Sequence, residues 1–427
     1  MECSDFPSVA GTRVQPDFDI VIVGGGAAGI SIAARLRRLV PDARITIVEP
    51  SDSHHYQPAW TLVGGGQYTL EHTQRPTASL IPRGVDWTRA RVVSFQPETD
   101  SVTLDDGRTI QYGQLVVCTG LRLAWEAIDG LEQALGRHGV TSNYRGDLAS
   151  YTWSLVKHLR QGKALFTQPT MPIKCAGAPQ KALYLSCDFW RKQGRAENIN
   201  ASFHVAGPAI FGVPHFIPTL MGYIQRYRVS LHLKSSLIRV DGENRTATFE
   251  VIRADGSAVL ITSQFDLLHV VPPQRPPICV AQSPLADSSG WCEVDMHTLR
   301  HPRFPNVFAA GDVVNTSNAK TAAAVRAQAK IVARNIAAIR QGCDPAERYD
   351  GYGACPLTVE QGRVILAEFG YGGRLLPTFS GDATTPRRTY WWLKKYLLPW
   401  FYWHRLLRGW DAAEPLVKLG RSRQDGG

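Results

Sequence analysis

Apolar positions fall into short runs, most of them closed by glycine, and the first run sets the frame. Asp19 to Val23 is continuously apolar and β-branched after its first residue, the pattern of a buried strand. Gly24-Gly25-Gly26-Ala27-Ala28-Gly29 follows at once, and Ile32, Leu36 and Leu39 then recur at helical spacing. A second strand, Arg44 to Val48, ends in Glu49, and a third, Leu115 to Cys118, ends in Thr119-Gly120. Further on, Lys163 to Phe166 reads as a strand and Ala182 to Trp190 as a helix. Asn306-Val-Phe-Ala-Ala-Gly311-Asp312 reads as a buried strand with a Gly-Asp end, and a helix runs from Thr321 through Ala324, Val325, Gln328, Ile331 and Val332.

Strand, glycine turn and helix in that order form a phosphate cradle. Gly24 makes the tight turn, Gly26 lets the backbone approach a pyrophosphate, and Gly29 allows helix to pack on strand. The first turn of that helix, with Ala27 and Ala28, then faces the phosphates. Glu49 lies 20 residues beyond Gly29, where a carboxylate accepts from a ribose 2′-hydroxyl and repels a 2′-phosphate. The Gly311-Asp312 strand resembles the second FAD signature of flavoproteins with two dinucleotide domains, which implies that Asp312 holds the ribityl chain. The helix that opens at Thr321 would aim its positive end at the flavin edge that gains charge on reduction, and Lys320 would add to that field. The strand ending at Thr119-Gly120 resembles the one closing the first FAD segment, and Cys118 inside it reads as core.

These elements predict an α/β protein with two Rossmann-like dinucleotide-binding domains and a C-terminal interfacial helical segment. The first, FAD-binding domain is discontinuous, 18–120 and 295–350. The second spans 121–294, and a C-terminal region covers 351–427. The second domain lacks the fingerprint a nicotinamide donor needs. After its strand comes Met171-Pro-Ile-Lys174-Cys175-Ala-Gly177-Ala-Pro-Gln-Lys181, with one glycine only. Proline brackets the cysteine, Lys174 and Lys181 flank it, and a helix N-terminus follows, surroundings that favour a thiolate.

Composition narrows the remainder. A net charge of +10 suits anionic substrates, anionic lipid or nucleic acid. No stretch of about 18 uncharged apolar residues occurs, so no membrane-spanning helix is expected. The leader, Met1 to Phe18, carries Glu2, Asp5 and Asp17 and no apolar core, unlike a secretory signal. The eight cysteines form no CxxC pair and no zinc spacing, so no metal is expected. Residues 389–410 interleave aromatic and basic side chains around Pro399. Two short helices broken at Pro399 would lie in a lipid interface, with Trp391, Trp392, Trp400 and Trp403 at headgroup depth and Lys394, Lys395, Arg405 and Arg408 toward phosphate. No nucleic-acid motif accompanies them, and no nucleic-acid partner is expected.

Several stretches together are specific. Lys174-Cys175-Ala-Gly-Ala-Pro-Gln-Lys181 resembles the active-site loop of sulfide:quinone oxidoreductases of the mitochondrial-like branch. His54-His-Tyr56-Gln57-Pro-Ala-Trp-Thr-Leu-Val63 resembles the same family's segment beside the flavin. Ser283 to Trp291, Asp350 to Leu357 and Arg363 to Phe369 extend the likeness from about residue 18 to about 415. The resemblance implies FAD, a redox disulfide between Cys175 and Cys355, and Tyr56 and Gln57 next to the flavin. It implies a persulfide on Cys355, hydrogen sulfide as reductant, and a quinone such as ubiquinone as oxidant. Sulfane sulfur would leave to glutathione, coenzyme A or sulfite. The protein would sit peripherally on the cytoplasmic face of an inner membrane, or on the mitochondrial inner membrane. The rival readings are an NADH:quinone oxidoreductase of type II, the flavoprotein subunit of a cytochrome-linked sulfide dehydrogenase, and a non-catalytic flavin redox sensor.

Overall fold

A computed structural model describes residues 15–411; residues 1–14 of the leader, with Cys3, and residues 412–427 of the C-terminal region lie outside it. β1 (Phe18–Val23) passes through the glycine turn into α1 (Ala27–Leu39). β2 (Ile45–Val48), β3 (Asp86–Thr88), β4 (Val92–Gln96), β5 (Ser101–Leu104) and β6 (Thr109–Val117) follow. They are ordered β3-β2-β1-β6-β5-β4. β1 runs parallel to β2 and to β6, with Val23 beside Val48 and Val117, so their C-terminal ends open on one edge where α1 begins. Ile20 to Val23 and Leu115 to Val117 are all buried. A sheet covered on both faces has no solvent side, which is why these runs do not alternate.

The second unit holds β7 (Val140–Thr141), β8 (Gly162–Gln168), β9 (Ile199–Val205), β10 (Ser230–Leu233), β11 (Ser235–Asp241), β12 (Thr246–Ile252), β13 (Ala258–Gln264) and β14 (Leu267–His269). β7-β14-β8-β9-β10 is a wholly parallel sheet. β11, β12 and β13 form an antiparallel sheet beside it, which the sequence pattern did not predict. α2 (Ala178–Lys192) starts four residues ahead of the predicted Ala182. Pro179 sits in its first turn, where a missing N–H leaves no helical bond unmade.

β15 (Val307–Ala309) returns to pair with β6, so the first sheet is assembled from two separated stretches of chain. α3 (Ala322–Arg340) packs on α1. The antiparallel pair β16 (Gly353–Glu360) and β17 (Arg363–Phe369) then leads to α4 (Arg388–Trp392), a π-turn over Leu393–Leu397, and α5 (Leu398–His404). This corrects the expected break at Pro399. The proline occupies the first turn of α5, and the widened turn before it accommodates the ring. The end of the segment is core: Tyr402, Trp403, Leu406 and Leu407 join the main apolar cluster. Ser31 Oγ donates to the Leu406 carbonyl at 2.9 Å, and Arg35 pairs with Asp411 at 2.8 Å.

Candidate active site

The three glycines do three different things. Gly24 has φ +106°, and a Cβ there would lie 2.4 Å from the Cys118 carbonyl oxygen. A Cβ on Gly29 would lie 1.9 Å from the Gly24 carbonyl, whereas one on Gly26 meets nothing within 4 Å. The open side at Gly26, beside uncapped N-terminal amides of α1, is the space a pyrophosphate needs. Glu49 Oε2 accepts from Gly25 N at 2.7 Å and Oε1 from Ser51 N at 2.8 Å. A carboxylate has about four lone-pair sites, so acceptor capacity remains for a ribose.

The cradle opens into a cavity of about 930 Å³ that reaches from Gly26 to the C-terminal helices. Ala27, Ala28, Tyr56, Gln57, Gly120 and Gly311 all border it. Thr119 Oγ1 is buried with no hydrogen-bond partner, and the Asp312 carboxylate has none among the described residues. Burial raises the Asp312 carboxyl, with Lys320 and Lys174 opposing. Thr321 caps α3 by accepting from Ala324 N, leaving the amides of Ala322 and Ala323 on the cavity wall. Lys320 is not a solvated side chain. Its Nζ donates to the Asp312 and Val314 carbonyls at 2.9 and 2.7 Å and lies 4.3 Å from the Trp291 ring centre, and burial lowers it to about 8. Unpaired polar atoms, an open glycine and a helix N-terminus along one apolar cavity fit a dinucleotide flavin.

Cys175 sits at φ +49°, and its N–H donates to the Lys320 carbonyl at 2.8 Å, which fastens the second unit to the first. Tyr144 Oη donates to the carbonyls of Lys174 and Cys175 at 3.0 and 3.3 Å. Lys181 Nζ donates to Cys175 Sγ at 3.2 Å. Lys174 turns away, donating to Gln57 Oε1 at 2.7 Å. Cys355, on β16 and 1% exposed, is hydrogen-bonded to Cys175. That thiol donor, with Lys181 and Lys394, holds Cys175 well below the usual thiol range against the penalty of burial; Cys355 is pushed well above it by the same bond and by burial. The two cysteines, Cys175 first, more than offset burial at Lys181 and raise it. The two cysteines that the resemblance pairs, 180 positions apart, are thus brought together in one cluster.

The C-terminal expectations need correction. Lys394 is 6% exposed and donates to the Pro356 carbonyl at 3.0 Å, so it belongs to the thiol site and not to a lipid face. Trp403 is buried among His54, Tyr402 and Arg75, and Arg405 is buried and bonds the Asp411 carbonyl at 3.0 Å. Trp391 and Lys395 are half-buried. What remains outside is Trp392, Tyr396, Leu397, Trp400 and Arg408. Sequence reasoning also missed Tyr144, Asn143, whose amide is buried and unpaired at the cavity, and the His54 to Tyr402 bond of 2.6 Å. Nothing in the Thr-Ser-Asn-Tyr-Arg-Gly-Asp stretch of 141–147 marks Asn143 or Tyr144 from sequence.

Residues 18–330 match the pyridine nucleotide-disulphide oxidoreductase family. A mitochondrial sulfide:quinone oxidoreductase of Mus musculus is 40% identical over 403 residues, 94% of this chain and 89% of the relative. That of Dictyostelium discoideum is 39% identical over 393 residues, 91% and 86%. The chain belongs to the sulfide:quinone oxidoreductase family. The fold agrees: the sulfide:quinone oxidoreductase structure from Aquifex aeolicus superposes with a TM-score of 0.75 at 20% identity, covering 92% of each chain. As a member of this family the protein is a flavin-dependent oxidoreductase. Among the described residues no helix is long and apolar enough to cross a membrane.

Proposed function

We propose that this chain oxidises hydrogen sulfide at Cys175 and Cys355 and passes two electrons through FAD to a membrane quinone, ubiquinone being the first to try. The observation that carries the reading is the Cys175–Cys355 contact, with Lys181 on the Cys175 sulfur, opening on the cavity that begins at the glycine cradle. FAD would rest on Gly24, Gly26, Ala27, Ala28, Gly29 and Glu49, with Thr119, Gly120, Gly311, Asp312, Lys320 and Thr321 along its middle and far end. Tyr56 and Gln57 would border its ring. Bound there, it supplies a two-electron acceptor beside the thiols.

In the oxidised enzyme the two cysteines form a disulfide. Hydrosulfide attacks the Cys355 sulfur; the S–S bond to Cys175 breaks, leaving a persulfide on Cys355 and a thiolate on Cys175. Lys181 stabilises that thiolate as it forms. An acceptor such as sulfite, glutathione or coenzyme A removes the sulfane sulfur, and Cys355 is left as a thiolate. Closing the disulfide again releases two electrons to the cofactor. The units 18–120 with 295–350, and 121–294, carry the cradle and Cys175, and 351–427 carries Cys355, the quinone chamber and the lipid face. Trp392, Tyr396, Leu397 and Trp400, with Arg408, would dock on an inner-membrane surface, leaving the protein peripheral.

The test is an anaerobic titration of the flavin spectrum. With sulfite present to take the sulfane sulfur, one equivalent of sulfide should bleach it, Cys175→Ser and Cys355→Ser should keep their FAD yet resist bleaching, and NADH should do nothing. Bleaching by NADH but not by sulfide would replace this reading with the NADH:quinone one.

A further inference from the structure

The half of the cavity furthest from the glycine cradle is apolar, walled by Leu366, Phe379, Leu397, Leu398 and Phe401. One carboxylate interrupts it. Glu368, on β17, is 5% exposed yet borders the cavity. Its Oε1 accepts from Tyr352 Oη at 2.5 Å and from Thr378 Oγ1 at 2.6 Å, and its Oε2 accepts from Thr378 N at 2.8 Å. Tyr352 also borders the cavity, and the Arg326 guanidinium, from α3, lies 5.6 Å from its ring centre. Burying a carboxylate in an apolar wall is costly unless its hydrogen bonds are made, and here three donors converge on it. Lys320 and Lys394 border the same cavity but bond main-chain carbonyls instead.

A carboxylate held at that wall can exchange a proton with the cavity's occupant. Reducing a quinone to its quinol adds two electrons and two protons. A hydride equivalent from the reduced cofactor supplies the electrons and one proton, and the second proton must come from the protein or from solvent. An acid fixed in the wall can deliver it at the quinone oxygen as the electrons arrive.

We propose that Glu368 is that acid and that Tyr352 and Thr378 hold it in place, an inference that rests on the quinone reading above. Glu368 takes up a proton from solvent before each turnover. As the hydride equivalent arrives, its O–H bond breaks and the quinol O–H bond forms. The carboxylate left behind is stabilised by Tyr352 Oη, Thr378 Oγ1 and Thr378 N. Burial and the neighbouring carboxylate raise the Tyr352 phenol to about 12, which keeps it a donor to that anion. Tyr352 and Thr378 are positioning residues; Glu368 meets the substrate.

The experiment uses the holoenzyme reduced with dithionite, so that it does not depend on sulfide. Glu368→Gln keeps the shape and an oxygen acceptor for Tyr352. It should retain FAD and bind a short-chain quinone as tightly as the native enzyme by calorimetry. Its reoxidation by that quinone should slow about 100-fold, the size expected for loss of a general acid. Reoxidation by ferricyanide, which takes electrons one at a time without a proton, should be unchanged. The native enzyme should show a solvent deuterium isotope effect on quinone reoxidation and a carboxyl band in the infrared difference spectrum on quinone binding, and Glu368→Gln should lose that band. Quinone reoxidation at the native rate in Glu368→Gln, or ferricyanide and quinone rates falling together, would overturn the proposal. Native enzyme that reoxidises with quinone but is not bleached by sulfide would leave Glu368 in its role and remove the sulfide reading instead.

Discussion

The Cys355 thiol and the lysines beside Cys175 place the charge of the pair on Cys175. Cys175 receives the Cys355 thiol and the Lys181 ammonium, whereas at Cys355 the bond to its partner and the cost of burial outweigh Lys181 and the Gly177 backbone. A thiol whose folded value lies below its unfolded one adds stability above the unfolded value and loses it as pH falls through the folded one. Cys175 should therefore stay reactive in mildly acidic buffer, where an ordinary cysteine is protonated. In the reduced enzyme, iodoacetamide should label Cys175 ahead of the other cysteines. Lys181→Met should slow that labelling about tenfold at a fixed pH below neutrality, the scale of one lost opposite charge. Cys355→Ala, which removes the thiol donor, should slow it as well. Site-resolved mass spectrometry checks both, and equal rates in native enzyme and Lys181→Met would remove the lysine from thiolate control. The lysine was legible because it lies six residues beyond its cysteine, in the first turns of α2. Lys394 was not, since a residue 219 positions away comes to the sulfurs only through the folded chain.

At the scale of elements, the glycine turn separates a folding role from a binding role within six residues. Gly29→Ala would drive a methyl group to within 1.9 Å of the Gly24 carbonyl, where the neighbour is main chain and cannot yield. It should destabilise the protein by about 1–3 kcal/mol or more, the range for overpacking a filled site. Gly26→Ala adds its methyl to open space, so the cofactor-free protein should melt within about a degree of the native one while cofactor affinity falls at least tenfold. Melting curves with and without FAD measure both; equal melting of the two cofactor-free variants would dissolve the distinction. This turn, the strands beside it and the Gly311-Asp312 end were legible because steric demands on glycine and full burial of parallel strands leave few sequences possible. The C-terminal helix was not. Its π-turn shifts the angular frame between Trp392 and Leu398, so side chains that a 3.6-residue period places outward, Lys394 and Trp403 among them, turn inward. The sheet of β11 to β13 was missed for another reason: β13 is exposed along most of its length, and its composition carries no burial signal.

For the whole molecule the same helix has two faces with different obligations, and that governs how membrane docking can be tested. Its inner face and the turn after it supply Tyr402, Trp403, Leu406 and Leu407 to the main core, and Tyr402 bonds His54 beside the cofactor cradle. Burying four such side chains is worth roughly 1.5–3 kcal/mol each, or about 6–12 kcal/mol together. A whole domain's net stability is about 5–15 kcal/mol, so the helix is part of the fold and not an appendage. Ending the chain before Arg388 should therefore yield insoluble or cofactor-free protein, a result that says nothing about lipid. The informative variant changes the outer face alone. Trp392→Ser with Trp400→Ser, at positions 57% and 45% exposed, removes no core contact and should leave melting and FAD content as in the native protein. Its recovery with anionic vesicles in a flotation assay should fall at least tenfold, because exposed tryptophans anchor at headgroup depth and the basic side chains left behind hold the surface only weakly at physiological salt. If the double variant floats with vesicles as the native protein does, the outer face is not the lipid surface. If the truncated chain folds and binds FAD, the core assignment of the inner face fails with it.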